Sequence, residues 1–489
     1  GSLYNLVYTD GTSNFSVTNY TSGTPFTAPV TSSNKTYSLI SVTSSGGCTG
    51  TGNSGSPTVN VGGTATWSGS WIPSAPSITD DVIFNTGTVY NVPAHITACA
   101  MTVKGTAQVT IPTNYNVTLS GALTVENGRS FTLENNANLI QSGSSNPNTG
   151  NIKSKRDSSP LYLLDYTLWS SPVENQNLYN FSPNTVSNRF FFFFEPTDQY
   201  NSISSGNNFS VGKGYLIRVP RTFSSTTQTV YNSAFTGKPN SGDISYSMSK
   251  SLNGFNAVGN PYPSQINVHN FIDANISNIQ GTLYFWRKRN NPLATSYATL
   301  TKLAYAANTA TGGDTGSTYY NTMTTPAADW VINVGQGFFV QAKSASNLVF
   351  TNAMRRGTNN GNQFFRTSNK LVEDPNTFKL NLTSTNGVFS QMVLGYSPEY
   401  TLGVDDGIDG FNINSTNYLC STIEGAAYVI QGRPEFSATD IVPLQYKIEN
   451  ADQYSIDIEQ LSGVFTTQDV FLKDKLTNTI HDLKSGPYD

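Results

Sequence analysis

Short runs in which apolar and polar residues alternate, parted by turn residues, recur from one end of the chain to the other. In residues 1–62 these are Tyr4 to Tyr8, Phe15 to Val17 and Thr36 to Val42, separated by Asp10-Gly11, Thr21 to Pro25 and Ser44 to Gly47. A period of two between turns predicts half-buried strands. An immunoglobulin-like sandwich takes around seven strands in about 100 residues, so this segment is expected to hold part of one, the tail of a repeat. From Ser41 to Ser70, 23 of the 30 residues are Ser, Thr, Gly or Asn, a composition that cannot build a core. A boundary is therefore expected near Gly62.

Between Trp67 and Gln141 the pattern tightens into apolar triplets whose central residue faces the other way. Met101-Thr102-Val103, Val109-Thr110-Ile111, Val117-Thr118-Leu119, Leu123-Thr124-Val125, Phe131-Thr132-Leu133 and Leu139-Ile140-Gln141 start 8, 8, 6, 8 and 8 residues apart. Even spacing of this kind fits a small β-solenoid over residues 63–150, with inward Val, Ile and Leu stacked in ladders. An antiparallel meander with tight turns produces similar spacing, so both arrangements stay open at this level.

Residues 151–372 carry an internal duplication. Val211-Gly212-Lys213-Gly214-Tyr215-Leu216-Ile217 returns as Val334-Gly335-Gln336-Gly337-Phe338-Phe339-Val340. An aromatic strand precedes each, Phe190 to Phe194 in one copy and Leu283 to Trp286 in the other, and a Pro turn precedes that (Ser170-Ser171-Pro172, Gly259-Asn260-Pro261). Asn290 to Asp329 reads as a polar loop inserted in the second copy. The glycines of both motifs are expected to hold positive φ or a tight turn, Gly337 among them. Five consecutive phenylalanines point to alternate faces, so their strand must be central and covered on both sides, and Phe192 is expected to be buried. Ser264 to Ala274 is the best helix candidate, short enough to plug one end. In residues 373–489 strands resume, and Ser455-Ile456-Asp457-Ile458-Glu459 sets carboxylates on one face and isoleucines on the other, a half-buried strand of a final β-sandwich. The fold class is all-β.

Composition agrees with that reading. Charged residues make up 12%, half the usual share of about 25%, too few to coat helices in water. The net charge of -4 comes from scattered groups, without the basic stripe that nucleic acid demands, and no apolar run approaches the roughly 18 residues of a membrane helix. No nucleic-acid partner and no membrane span are expected.

Candidate chemistry is sparse. Gly50, Gly52 and Gly55 match a dinucleotide-binding spacing, but Pro57 and Val59-Asn60-Val61 deny it the helix that holds pyrophosphate. His95, His269 and His481 fall in three different units with no metal-ligand spacing. Cys48, Cys99 and Cys420 form no motif. No catalytic residue is identified, although a glycosidase needs only two carboxylates across a cleft, which sequence order does not expose. The one acidic cluster is Asp405-Asp406-Gly407-Ile408-Asp409-Gly410. Asp405, Asp406 and Asp409 are hard oxygen ligands beside glycines that let the backbone wrap, the chemistry of a calcium loop, although calcium takes 6–8 oxygens. A plain acidic turn fits equally. Calcium is thus the single cofactor the sequence raises. Trp286, Tyr319 and Tyr320 are candidates for stacking on sugars, with core packing as the alternative for each.

Several of these segments together carry a family likeness. Gly259-Asn260-Pro261-Tyr262-Pro263-Ser264, Gly281-Thr282-Leu283-Tyr284-Phe285-Trp286, the Val334 to Val340 motif and Asn352-Ala353-Met354-Arg355 resemble the C-terminal half of large surface proteins that Bacteroidetes export through the type 9 secretion system. Gly407 to Phe411, Pro443-Leu444, Val470 to Asp474 and His481-Asp482-Leu483 resemble the β-sandwich that precedes the type A sorting domain of such proteins. The sorting domain would be expected where Gly486-Pro487-Tyr488-Asp489 stands. The resemblance implies a secreted or cell-surface location in a Gram-negative bacterium, and the export translocon with its shuttle protein as partners. It implies adhesion by association, with surface glycans or abiotic surfaces as what is bound. The reading is a noncatalytic adhesin-like stalk or surface-binding module. The alternative is a polysaccharide-active or carbohydrate-binding protein whose catalytic domain lies elsewhere.

Overall fold

The computed structural model describes residues 3–489 apart from 30, 32–33, 53, 60, 86–89, 92–93, 287–296, 308–329 and 358–375. The described chain is nearly all β, with two short α-helices, and no helix in it is long and apolar enough to cross a membrane. Tyr319 and Tyr320 lie outside the described residues.

At the N-terminus, strand Leu3–Thr9 lies between Asn14–Thr21 and Ser38–Ser44, antiparallel to both. Asp10 closes the first turn by accepting the N–H groups of Thr12 and Ser13. Leu6 and Tyr8 point inward, and the Tyr8 ring meets Phe15, Phe26 and Tyr37. That is a three-stranded sheet with a small aromatic core.

The triplets that follow form a solenoid, because their pairing is parallel. Met101 faces Leu123, Val109 faces Phe131 and Val117 faces Leu139, each residue opposite its counterpart one coil later. A meander would have paired neighbouring triplets antiparallel. Flanking residues of the triplets are buried, and the central residue, Thr in all but the last, is turned outward. Asn138 donates to the Asn116 side chain of the preceding coil at 3.0 Å, so the ladder includes a polar rung.

The last coil does not end in solvent. Strand Ile152–Leu161 continues the solenoid parallel to Ser130–Leu133, and on its other edge pairs antiparallel with Thr229–Gly237 of the duplicated unit. In the first copy the sheet runs Tyr166–Trp169, Tyr215–Arg218, Phe190–Phe194, Gln199–Ser202; in the second it runs Phe255–Gly259, Gly337–Ala342, Ile279–Trp286, Tyr297–Leu300, with Tyr305–Ala306 at the edge. The order is the same. Each copy adds a two-stranded ribbon, Ile152–Leu161 with Thr229–Gly237 and Ile244–Ser247 with Asn347–Phe350. Each also carries one helix, α1 (Leu178–Phe181) and α2 (Val268–Asn275), N-capped by Asn177 and Asn267, whose side chains accept from Asn180 and Asn270. The second helix starts later than the sequence pattern predicts, since Gln265–Asn267 is a strand; the first was missed because four residues carry no readable period.

The two copies grip each other reciprocally. Ser170 donates its N–H to Gly335 at 2.9 Å, and its counterpart Gly259 donates to Gly212 at 3.0 Å. This corrects the expectation for the glycine pairs. Positive φ belongs to the first glycine of each motif, 75° at Gly212 and 71° at Gly335, and not to Gly337. Gly337 is needed for space, since a Cβ there would stand 2.7 Å from Leu168 Cγ and 3.0 Å from its carbonyl oxygen. The phenylalanine strand is paired on both edges. Phe190 is sealed, but Phe192 is only half-buried, with the Lys213 ammonium 4.3 Å from its ring centroid, so Phe192→Ser would not open a cavity in a closed core.

The C-terminal region is a sheet in the order Leu444–Lys447, Tyr418–Ile423, Ala426–Arg433, Phe389–Tyr396, Asn376–Ser384, Tyr454–Leu461. One face packs Phe378, Leu380, Met392 and Leu394 against Phe465 and Leu483, with Ile456 and Ile458 joining them as their alternation requires. The other face packs Val393, Cys420 and Ile430 against Leu303 and Ala304 of the second copy.

Candidate functional site

The acidic segment is where the C-terminal sheet meets the second copy, and its glycines explain the approach. Gly407 has φ 78°, and Gly281 has φ 80° with its Cβ direction only 2.5 Å from Gly407 Cα. A side chain on Gly281 would part the two backbones. Gly407 donates its N–H to Gln280 at 3.0 Å and accepts from Lys302 at 2.8 Å. Thr282 Oγ1 donates to the Asp409 carbonyl at 3.0 Å, Thr301 Oγ1 to Ile408 at 2.8 Å, and Tyr284 Oη to Phe411 at 3.1 Å. The turn is thus docked along its length.

The three aspartates do not act together. Asp405 accepts the N–H and hydroxyl of Thr401 at 2.6 and 2.9 Å. Asp406 forms an ion pair with Lys343 at 2.5 Å. Asp409 is 3% exposed and accepts the N–H groups of Asp405 and Gly432 at 2.6 and 2.7 Å. The carboxylates expected to wrap one calcium ion therefore serve three separate protein partners. Among the described residues no group of three His, Cys, Asp or Glu side chains is placed to hold a metal. Burial pushes the Asp409 carboxyl up to about 7, against the pull of its two N–H donors and with help from the neighbouring charges of Asp405 and Asp406.

Over this turn opens a cleft of about 330 Å³, near the lower end of the range for small-molecule sites, roughly 300–1,000 Å³. Gln280 and Gln341 of the second copy line it together with Asp406, Asp409, Phe411 and Tyr428 from the C-terminal region. The Phe411 and Tyr428 rings meet edge-on at 5.7 Å. Tyr428 is 8% exposed, and its hydroxyl has no hydrogen-bond partner among the described residues. Burial raises its pKa, and the negative charges of Asp409, Glu424 and Asp406 push the same way. A phenol on a cleft wall without a protein partner is one that a ligand or water can satisfy.

The remaining candidates stay apart. His95 accepts from the Asn116 N–H at 3.0 Å in the solenoid, His269 lies on α2, and His481 Nε2 is 2.8 Å from the Gly486 carbonyl oxygen. Trp286 packs against Tyr297 at the interface between the copies, its ring centroid 5.3 Å away. The three cysteines are unbonded, Cys48 exposed and Cys420 buried. Sequence reasoning found the acidic turn but not Gln280, Gln341 or Tyr428, which arrive from three strands. The single local hint was the glycine before Thr282.

A family model described as a domain of unknown function (DUF8693) matches residues 60–489, and the chain belongs to that family. The match spans the solenoid, both copies, the C-terminal sheet and the cleft, and leaves out the N-terminal three-stranded sheet. No curated protein and no solved structure matches the chain.

Proposed function

We propose that this protein is a noncatalytic, adhesin-like cell-surface or secreted protein, exported by a type 9 secretion system in a Gram-negative member of the Bacteroidetes, and that it serves as a stiff stalk carrying a surface-binding site. The observation that carries the reading is that successive modules share structure where linkers would let them swing. The solenoid and the first copy share strand Ile152–Leu161. Arg355, 3% exposed, reaches from the second copy to both neighbours: Nε donates to Ser264 at 2.9 Å, one terminal nitrogen to Asn352 at 2.9 Å and Ser241 at 3.3 Å, and the other to the Leu139 carbonyl of the solenoid. The Glu195 carboxylate at the end of the phenylalanine strand accepts three N–H groups from Ser251, Leu252 and Gly254, 2.7 to 2.9 Å away, joining the copies. Junctions built this way resist hinging between neighbouring modules.

The noncatalytic part of the reading rests on the sequence, in which no recognisable catalytic motif occurs. The export route and its partners, the translocon and its shuttle protein, rest on the resemblance of the glycine- and proline-containing motifs. Deleting the gene, restoring it, and scoring attachment to glass and to polysaccharide films tests the adhesive role, with immunolabelling of intact cells testing location. Loss of attachment restored by the gene, with label on the cell exterior, is the expected result. Unchanged attachment would end the adhesive reading, and label confined inside the outer membrane would end the surface reading. The carbohydrate-binding alternative is favoured by the cleft itself.

A further inference from the structure

The geometry points to the cleft between Gln280, Gln341 and Tyr428 as a binding site for a neutral, hydroxyl-rich ligand, one or two sugar rings of a glycan. It rests on the surface-binding reading only for where the ligand comes from. Its lining combines groups that both donate and accept: the Gln280 amide, the Gln341 amide, whose NH₂ also donates to the Asn253 carbonyl at 2.9 Å, and one phenol. Carboxylate oxygens on the floor add acceptors, and the Phe411 ring adds an apolar face for sugar C–H groups. Vicinal hydroxyls of a sugar, each a donor and an acceptor, meet that inventory.

Other ligand classes meet it less well. An anion would face Asp406 and Asp409, while the lysine at hand, Lys343, already serves Asp406 and the Ile276 carbonyl at 2.5 and 2.7 Å. A metal ion would have to take both Asp409 oxygens from backbone N–H groups that then lose their acceptors. A purely apolar ligand would cover the Tyr428 hydroxyl and the Gln280 amide without pairing them, which is costly. A polyol can hydrogen-bond both the Tyr428 hydroxyl and the Gln280 amide and leaves the turn intact.

The test is saturation-transfer NMR and calorimetric titration of the full chain with maltose, cellobiose, xylobiose and N,N′-diacetylchitobiose. At least one disaccharide is expected to bind, and Tyr428→Phe, which removes only the hydroxyl, is expected to weaken it about tenfold, the equivalent of one lost hydrogen bond. Gln280→Ala should weaken it comparably. Matching thermal melts for the variants and the parent establish that the fold is kept. Absence of binding by all four sugars would overturn the proposal, as would binding that both variants leave unchanged. Calcium chloride binding in place of every sugar would also overturn it. Attachment lost on gene deletion with no sugar bound would leave the adhesin reading standing and remove this one. Sugar bound with attachment unchanged would do the reverse.

Discussion

The hydroxyls of Tyr200 and Tyr297 lie 3.3 Å apart, at equivalent positions of the two copies. Tyr200 is paired with Phe193 and Tyr297 with Trp286, and both rings flank Phe339 at 6.1 and 5.5 Å. The internal duplication therefore closes on itself. Loss of solvent holds both phenols above their ordinary range, Tyr297 at about 12. Replacing Tyr200 by Phe leaves the Tyr297 hydroxyl without this partner and should cost about 1 kcal/mol. The double variant Tyr200→Phe/Tyr297→Phe should cost less than the sum of the two single changes. Urea unfolding of all four proteins measures the coupling, and strict additivity would show that the pair contributes nothing.

The two first glycines of the duplicated motif separate backbone strain from crowding. Gly335 and Gly212 have nearly equal φ, but a Cβ on Gly335 would lie 2.9 Å from Phe235 Cε2, against 3.5 Å from Phe350 Cε2 at Gly212. Gly335→Ala should destabilise by roughly 2 kcal/mol or more and Gly212→Ala by about 1 kcal/mol. Equal losses would mean that φ alone matters.

Arg355 is buried with no carboxylate partner among the described residues, stacked 4.7 Å over the Tyr262 ring and bonded to oxygens of its own copy, of Ser241 between the copies and of the solenoid. Lysine keeps the charge but cannot span those acceptors. Arg355→Lys is expected to cost about 2–4 kcal/mol and to raise amide hydrogen exchange in Asn138–Gln141, the coil it touches. Exchange left unchanged there would show that Arg355 stabilises only its own copy.

Asp409 makes stability depend on pH. Its folded pKa, about 7, stands above the ordinary 3.8 because the site is buried. The native state therefore holds the proton more tightly than the unfolded chain between those values, so its contribution is full below about 4 and is lost as pH rises through about 7. Asn in its place cannot titrate. The parent should thus lose stability relative to Asp409→Asn between about pH 5 and pH 8, read as a difference in melting temperature. A difference that grows in the opposite direction would mean that the two backbone N–H donors dominate and the carboxylate is ionised throughout.

Much of this architecture is legible before folding. Alternation between turns marks strands wherever it occurs, because a strand half in water must place apolar side chains on one face. The return of Val211 to Ile217 as Val334 to Val340 announces two like units, since equal sequences adopt equal local geometry. Tertiary structure decided the rest. Triplets 8 and 6 residues apart serve a meander and a solenoid equally well, and only the pairing of Met101 with Leu123 distinguishes them. Positive φ fell on Gly335 and close packing on Gly337, a division set by Phe235 and Leu168 of the other copy. Asp405, Asp406 and Asp409 form a local cluster by composition, but Thr401, Lys343 and Gly432 decide where each carboxylate turns. The cleft belongs wholly to this second category. Its lining comes from strands distant in sequence, Gln280 and Tyr428 being the farthest apart, and no local pattern records a space that exists only when two sheets meet.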